Sequence, residues 1–147
     1  EIASQEEVGL RGAQVAAYRV KPDFAIVFEV HLLMTALKKE LLLMSIEKGV
    51  QLRVVDGAMI SNPRVLKFAR DIADKKGIKY QMIAREKGST MEENIIFRNW
   101  YSCTCAWYSY KIYPYHYSYA SIDDLTAAIS LAVEVIKELN KDVIKSF

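Results

Sequence analysis

Apolar residues recur along this chain with two different periods, and the switches between them divide it into elements. Residues 24–30, Phe-Ala-Ile-Val-Phe-Glu-Val, form a short, nearly unbroken apolar run of the kind that makes a buried strand. Residues 51–55 and 78–84 read as two more strands, the first closed by a turn at Asp56-Gly57. Between those two, Val65, Ala69, Ile72 and Ala73 fall at helical spacing, so one face of that helix belongs to the core. Its ends are marked as well. Ser61-Asn62-Pro63 offers a cap followed by proline at the first helical position, where the missing N–H costs nothing, and Gly77 stops the helix. The last helix opens on Ser121-Ile122-Asp123-Asp124, which resembles a capping box. Leu125, Ala128, Ile129, Ala132, Ile136 and Leu139 then make an apolar stripe that predicts its packed face. Strands around 1–5, 24–30, 51–55 and 79–84 alternate with helices near 12–20, 63–76 and 122–140. That alternation predicts an α/β fold, a layered α/β/α domain around one central mixed sheet.

Composition narrows the function classes. The 147 residues make one domain's worth of chain, and the net charge is +2. Lys and Arg are interleaved with acids rather than massed, which excludes a nucleic-acid footprint. No apolar run reaches spanning length and no signal-peptide pattern opens the chain, so no membrane partner is expected. Cys103 and Cys105 are too close in an extended segment for an easy disulfide, and no further Cys or His stands at zinc-site spacing from them. The chain begins without Met and in mid-strand, which reads as a piece of a longer protein.

Candidate chemistry sits at the start, in Gln5-Glu6-Glu7-Val8-Gly9-Leu10-Arg11-Gly12-Ala13. Two adjacent carboxylates end a strand-like segment before a glycine-punctuated turn. Neighbouring side chains at a strand end diverge, so one acid can bind a metal while the other takes a proton from water. Metal-assisted hydrolysis needs that division of labour. With the helix at 13–20, then Lys21-Pro22-Asp23 and the strand at 24–30, this word resembles the cocatalytic metallo-aminopeptidases that form tetrahedral TET particles. These are relatives of the glutamyl and deblocking aminopeptidases, and many carry endoglucanase or cellulase labels. The resemblance implies that Glu6 is the general base and Glu7 a metal ligand. Glu29 stands where the family usually has a ligating Asp, so a carboxylate is kept on an arm one methylene longer. It further implies two divalent metal ions (zinc or cobalt), peptide substrates, a homo-oligomer and a cytoplasmic location. On this reading residues 1–147 are the C-terminal part of a metallopeptidase catalytic domain. The N-terminal part, which carries a ligating His and a bridging Asp, and an inserted smaller domain would be absent.

Two segments depart from the family pattern. After Glu29 the family has a Gly-Asp-x-Pro turn, whereas this chain reads His31-Leu32-Leu33-Met34-Thr35-Ala36-Leu37. Within residues 88–119 the family has a Gly-x-Pro strand and Arg-Tyr-Ile-His, whose His is a ligand. Here an aromatic run stands instead, Asn99-Trp100-Tyr101-Ser102-Cys103-Thr104-Cys105-Ala106-Trp107-Tyr108-Ser109-Tyr110. Such a run alone reads as an aromatic strand or a sticky surface. Back-translated with degenerate codons and read one nucleotide later, residues 99–115 permit Ile-Gly-Ile-Pro-Ala-Leu-Val-Leu-Gly-Ile-Pro-Thr-Arg-Tyr-Ile-His. This resembles the family's missing strand and ligand, so the stretch reads as translated out of frame. The ligand position then falls on Pro114, which cannot bind metal, and His116 is the nearby substitute. His31, two residues after Glu29, shares its strand face and is a further candidate. Residues 100–119 are accordingly expected to be poorly ordered or to pack atypically, and to promote association.

Two function classes follow. The first is a fragment of a dinuclear-metal aminopeptidase that removes N-terminal residues from peptides, inactive as this chain. The second is a non-catalytic remnant or interaction module. A glycoside hydrolase is a third choice, because its two carboxylates should face each other across a sugar cleft, and Glu6 and Glu7 are adjacent.

Overall fold

The computed structural model describes residues 4–5, 8–32, 47–55, 60–84, 102–110 and 120–147, with backbone alone at 29–32 and 102–110. In chain order they form α1 (Arg11–Val20), β1 (Phe24–Leu32), β2 (Val50–Val55), α2 (Pro63–Lys76), β3 (Tyr80–Ala84), β4 (Ser102–Tyr110), α3 (Ile122–Glu138) and α4 (Lys141–Lys145). The four strands make one sheet in the order β1-β4-β2-β3. β1 runs parallel to β4 and β2 parallel to β3, while β2 and β4 are antiparallel, so the sheet is mixed as the pattern predicts.

Local chemistry sets the helix boundaries. The Asn62 side chain accepts from the Arg64 N–H at 2.9 Å with Pro63 inside the first turn, and Gly77 closes α2 at φ 67°. That left-handed conformation costs glycine little, and it lets the Gly77 N–H reach back to Ala73 and Asp74 carbonyls. Ser121 caps α3 by accepting from the Asp124 N–H at 3.3 Å.

Packing is concentrated on one face of the sheet. Val50 and Leu52 of β2 lie against Leu66, Ala69, Ile72 and Ala73 of α2 and against Ala128, Leu131 and Val135 of α3. Phe24 and Ile26 of β1 close the same side. The face expected for α2 is the observed one, with Val65 buried as well. In α3 it is rotated. Ala128 and Ala132 are buried, but Leu131, Val135 and Asp124 complete the buried face, and Ile129 and Ile136 are 52% and 61% exposed.

A further difference concerns the first expected strand. Ser4 and Gln5, the described part of the expected strand at 1–5, are irregular, and Gln5 has φ 59°. Their carbonyls turn back to accept from the first amides of α1, which removes them from any ladder. The aromatic run supplies in residues 102–110 a nine-residue strand between β1 and β2, as its reading as an aromatic strand allows. Its flanks, 99–101 and 111–119, lie outside the described residues, as do 33–46.

Candidate functional site

The chain around the acidic pair is held by backbone bonds. The Gly12 N–H donates to the Ser4 carbonyl at 3.0 Å and the Arg11 N–H to the Gln5 carbonyl at 3.3 Å. The Arg11 Nε–H donates to the Val8 carbonyl at 3.1 Å. Residues on both sides of Glu6 and Glu7 are thus pinned to the start of α1, while the pair itself lies outside the described residues. Gly12 is what allows this return. A Cβ there would stand 2.3 Å from the Ser4 carbonyl oxygen and 2.6 Å from its nitrogen, both backbone atoms that cannot swing away. Leu10, buried at the turn, takes φ 57° and leaves α1 without a side-chain cap. The carbonyls of Ser4 and Gln5 occupy the first α1 donors instead.

Glu29 lies toward the C-terminal end of β1, in register with Trp107 of β4. Trp107 is in turn in register with Gln51 of β2, and Gln51 with Gln81 of β3. One row therefore crosses all four strands, and Glu29 occupies its β1 end. His31 takes the next same-face position of β1, opposite Ser109. His116 lies outside the described residues, so the structure places Glu29 and leaves the grouping of Glu6, Glu7, Glu29 and His116 undescribed. Among the described residues no cluster of three His, Cys, Asp or Glu side chains is arranged to hold a metal.

Sequence reading passed over two buried polar residues on this side. Gln51 and Arg53 are 0% and 2% exposed. Val50 and Leu52 face the core helices, so strand alternation puts Gln51 and Arg53 on the opposite face. The Arg53 carbonyl also accepts from the Ser61 hydroxyl at 2.6 Å, which ties the strand end to the α2 cap. The alternation of apolar 50, 52 and 54 with polar 51 and 53 was the available signal. Nothing in it distinguishes a polar face that is covered from one in water.

A separate buried acid organises the entry to β2. Asp124 is fully buried in the first turn of α3. Its Oδ1 accepts from the Gly49 N–H at 2.7 Å and its Oδ2 from the Glu47 N–H at 2.9 Å. The Gln81 side chain donates to the Gly49 carbonyl at 3.2 Å, so this turn is gripped from both a helix and a strand. These contacts are structural: Asp124 reaches the turn from the core-helix side and Gln81 from the row that contains Gln51.

Comparison with known proteins gives this geometry a context. The sequence profile of the M42 glutamyl aminopeptidase family matches residues 2–131. A TET aminopeptidase structure from a marine-sediment archaeon of the Thaumarchaeota superposes with a TM-score of 0.91 at 31% identity, covering 98% of this chain and 41% of that one. The lysyl aminopeptidase of Pyrococcus furiosus is 28% identical over 137 residues, which is 92% of this chain and 39% of that protein. The Pyrococcus horikoshii TET1 peptidase, which can assemble into a tetrahedron or a large octahedral shell, matches with a TM-score of 0.75 at 25% identity, over 94% of this chain and 40% of its own. The chain thus spans about two fifths of the length of these relatives.

Proposed function

The chain belongs to the M42 glutamyl aminopeptidase family, and from that premise we propose that it is the C-terminal part of a dinuclear-metal aminopeptidase acting on the N-terminal residues of peptides. The observation that carries this reading is the extent of the match, which takes in the Glu6–Glu7 word, Glu29 and the strand after it in a single alignment. In the proposal Glu7 and Glu29 are metal ligands and His116 is a weaker third. Carboxylate oxygen and imidazole nitrogen suit zinc or cobalt, and the donor set on this chain is a part of a two-metal shell. When bound, the ions supply Lewis acidity at the scissile carbonyl. Glu6 takes the proton from the attacking water and delivers it to the leaving amine. Backbone bonds that hold Ser4 and Gln5 to the start of α1, on either side of the acidic pair, support this reading. A homo-oligomer and a cytoplasmic location complete the reading; no described helix is long and apolar enough to cross a membrane.

A second reading is a non-catalytic remnant or interaction module, and the observation that favours it is the aromatic strand at residues 102–110, where the resemblance calls for a Gly-x-Pro strand. Zinc titration of the purified chain separates the two. The peptidase reading expects stoichiometric binding that disappears in Glu7→Ala, with little or no release of N-terminal residues from peptides even with added zinc or cobalt. Absence of zinc binding leaves the remnant. Robust metal-dependent aminopeptidase activity would instead show that the ligand set on this chain is sufficient by itself.

A further inference from the structure

β1 carries two metal-binding residue types at neighbouring positions of one face. Glu29 and His31 are two apart in a regular strand, so their Cα atoms stand about 6.6 Å from each other on the same side of the sheet. Donors at that spacing can close on a single ion, whose bonds to carboxylate oxygen and imidazole nitrogen are about 2 Å long. The face they occupy is that of Gln51, away from the α2 and α3 core. Both lie toward the carboxyl end of β1, which runs parallel to β4 and ends the sheet among the described strands. In open α/β sheets ligands bind beyond the carboxyl ends of the strands. The register partner of His31 is the small residue Ser109.

Chain topology brings the acidic pair toward the same place. α1 stops at Lys21, whose φ of 49° is left-handed, and Lys21, Pro22 and Asp23 link it to Phe24 at the start of β1. The ten residues of α1 rise about 15 Å, and the steps from Phe24 to Glu29 cover about 16 Å. A helix returned along β1 by so short a link has its first turn level with Glu29 and His31. That first turn is where the Ser4 and Gln5 carbonyls are fastened, immediately before Glu6 and Glu7. We infer that His31 is a ligand of the proposed metal site, beside Glu29 on β1 and with Glu7 supplied from the start of α1. Two carboxylates and an imidazole make three protein donors, the number that catalytic zinc sites use.

This ligand rests on the metal reading of the proposed function, and one experiment tells the two apart. The chain has two histidines, so His116→Ala leaves a single imidazole, that of His31. The test is zinc titration of the untagged 147-residue chain with its histidine rings carbon-13 labelled, read by nuclear magnetic resonance. In His116→Ala the remaining ring signals should move and reach a plateau at a fixed ratio of zinc to chain, and adding Glu7→Ala should abolish the change. Calorimetry on His31→Asn, with circular dichroism to check its fold, should show zinc affinity lowered at least about tenfold, a loss usual even for groups that only support a ligand. Ring signals that stay in place while zinc binds in a Glu7-dependent way overturn the assignment of His31 and leave the aminopeptidase reading standing. Ring signals that move equally well in Glu7→Ala separate His31 from the acidic pair and overturn the shared site. A chain that binds no zinc overturns the metal reading and this ligand with it.

Discussion

The two faces of the sheet are built on different principles. Toward α2 and α3 the positions are filled by Val50, Leu52, Leu66, Leu131 and Val135, and register follows from apolar volume. On the other face β2 presents Gln51 and Arg53, which are just as buried. Burial of amide and guanidinium groups is costly unless they are bonded, so this face depends on matching polar partners rather than on apolar volume. The candidate acid Glu29 stands at the β1 end of the row that contains Gln51. A close-packed apolar face tolerates a changed neighbour if volume is kept, whereas a polar face tolerates only matching partners. The strand between Glu29 and these polar side chains is β4, which falls in one of the two segments expected to depart from the family's pattern.

Exchanging residues 99–114 for the shifted-frame sequence therefore tests the contrast most strongly. Four large aromatics fall within positions 100–108, and part of that run forms β4, one of the two inner strands. Overpacking costs about 1–3 kcal/mol per site, so the exchange should raise stability by several kcal/mol and reduce association. Denaturant unfolding and light scattering check this. An unchanged or less stable product would show that the aromatic strand is the native partner of β1 and β2.

Next in size is the loss of Asp124, the buried acid on the apolar side among the described residues. Asp124→Ala leaves the Gly49 and Glu47 N–H groups without their carboxylate. Hydrogen bonds to a charged group contribute about 1.5–3 kcal/mol each, so a loss of about 3 kcal/mol is expected in urea unfolding. A change under about 1 kcal/mol would mean that water replaces the carboxylate and that the turn is less enclosed than it looks.

Gly12→Ala probes the turn beside the acidic pair. The added Cβ must displace the Ser4 backbone, so a cost of about 1–3 kcal/mol is expected, of the size seen for overpacking. The more telling measurement is zinc affinity. The substitution should weaken it through the position of Glu6 and Glu7 while leaving the α2/α3 core intact by near-ultraviolet circular dichroism. Unchanged zinc affinity alongside lost stability would separate the turn from the proposed metal ligands.

What the sequence made legible follows the same division. The caps at Asn62, Gly77 and Ser121 were readable because each depends on a residue's own side chain or its freedom at positive φ. The α2 face was readable because the helix is apolar on one side only. α3 was misread by a rotation because it has two apolar stripes, and periodicity cannot say which of them meets the sheet. The acid on its buried side, Asp124, looked like an ordinary first-turn acid. Gln5 was placed in a strand because nothing local announces a positive φ at glutamine. Of the site, Glu29 could be placed on β1 from its apolar neighbours, while the covering of Gln51 and Arg53 depends on strand order, which no single segment encodes.

The smallest effect expected is electrostatic and lies on the outer surface, where α2 meets α3. Glu134 accepts from Lys137 at 2.6 Å through Oε1 and from Lys76 of α2 at 2.5 Å through Oε2. The hydrogen bond from Lys137, and then that from Lys76, holds its carboxyl down to about 2 from the ordinary 4.5. Glu134 in turn raises the Lys76 ammonium above its ordinary 10.5. Between pH 4.5 and 2 the unfolded chain binds a proton at this residue that the folded chain does not. The stabilisation is therefore complete above about pH 4.5 and is lost as the pH falls toward 2. On the alkaline side the Lys76 contribution is present below 10.5 and fades as the pH rises through its raised value. The groups are exposed enough for salt to screen them, so the gain is modest. Glu134→Gln should lower the melting temperature slightly at pH 7, with the gap to the wild type closing as the pH falls from 4.5 toward 2 and narrowing in high salt. A gap that stays constant across that range would assign the effect to packing of the side-chain stem rather than to the paired charges.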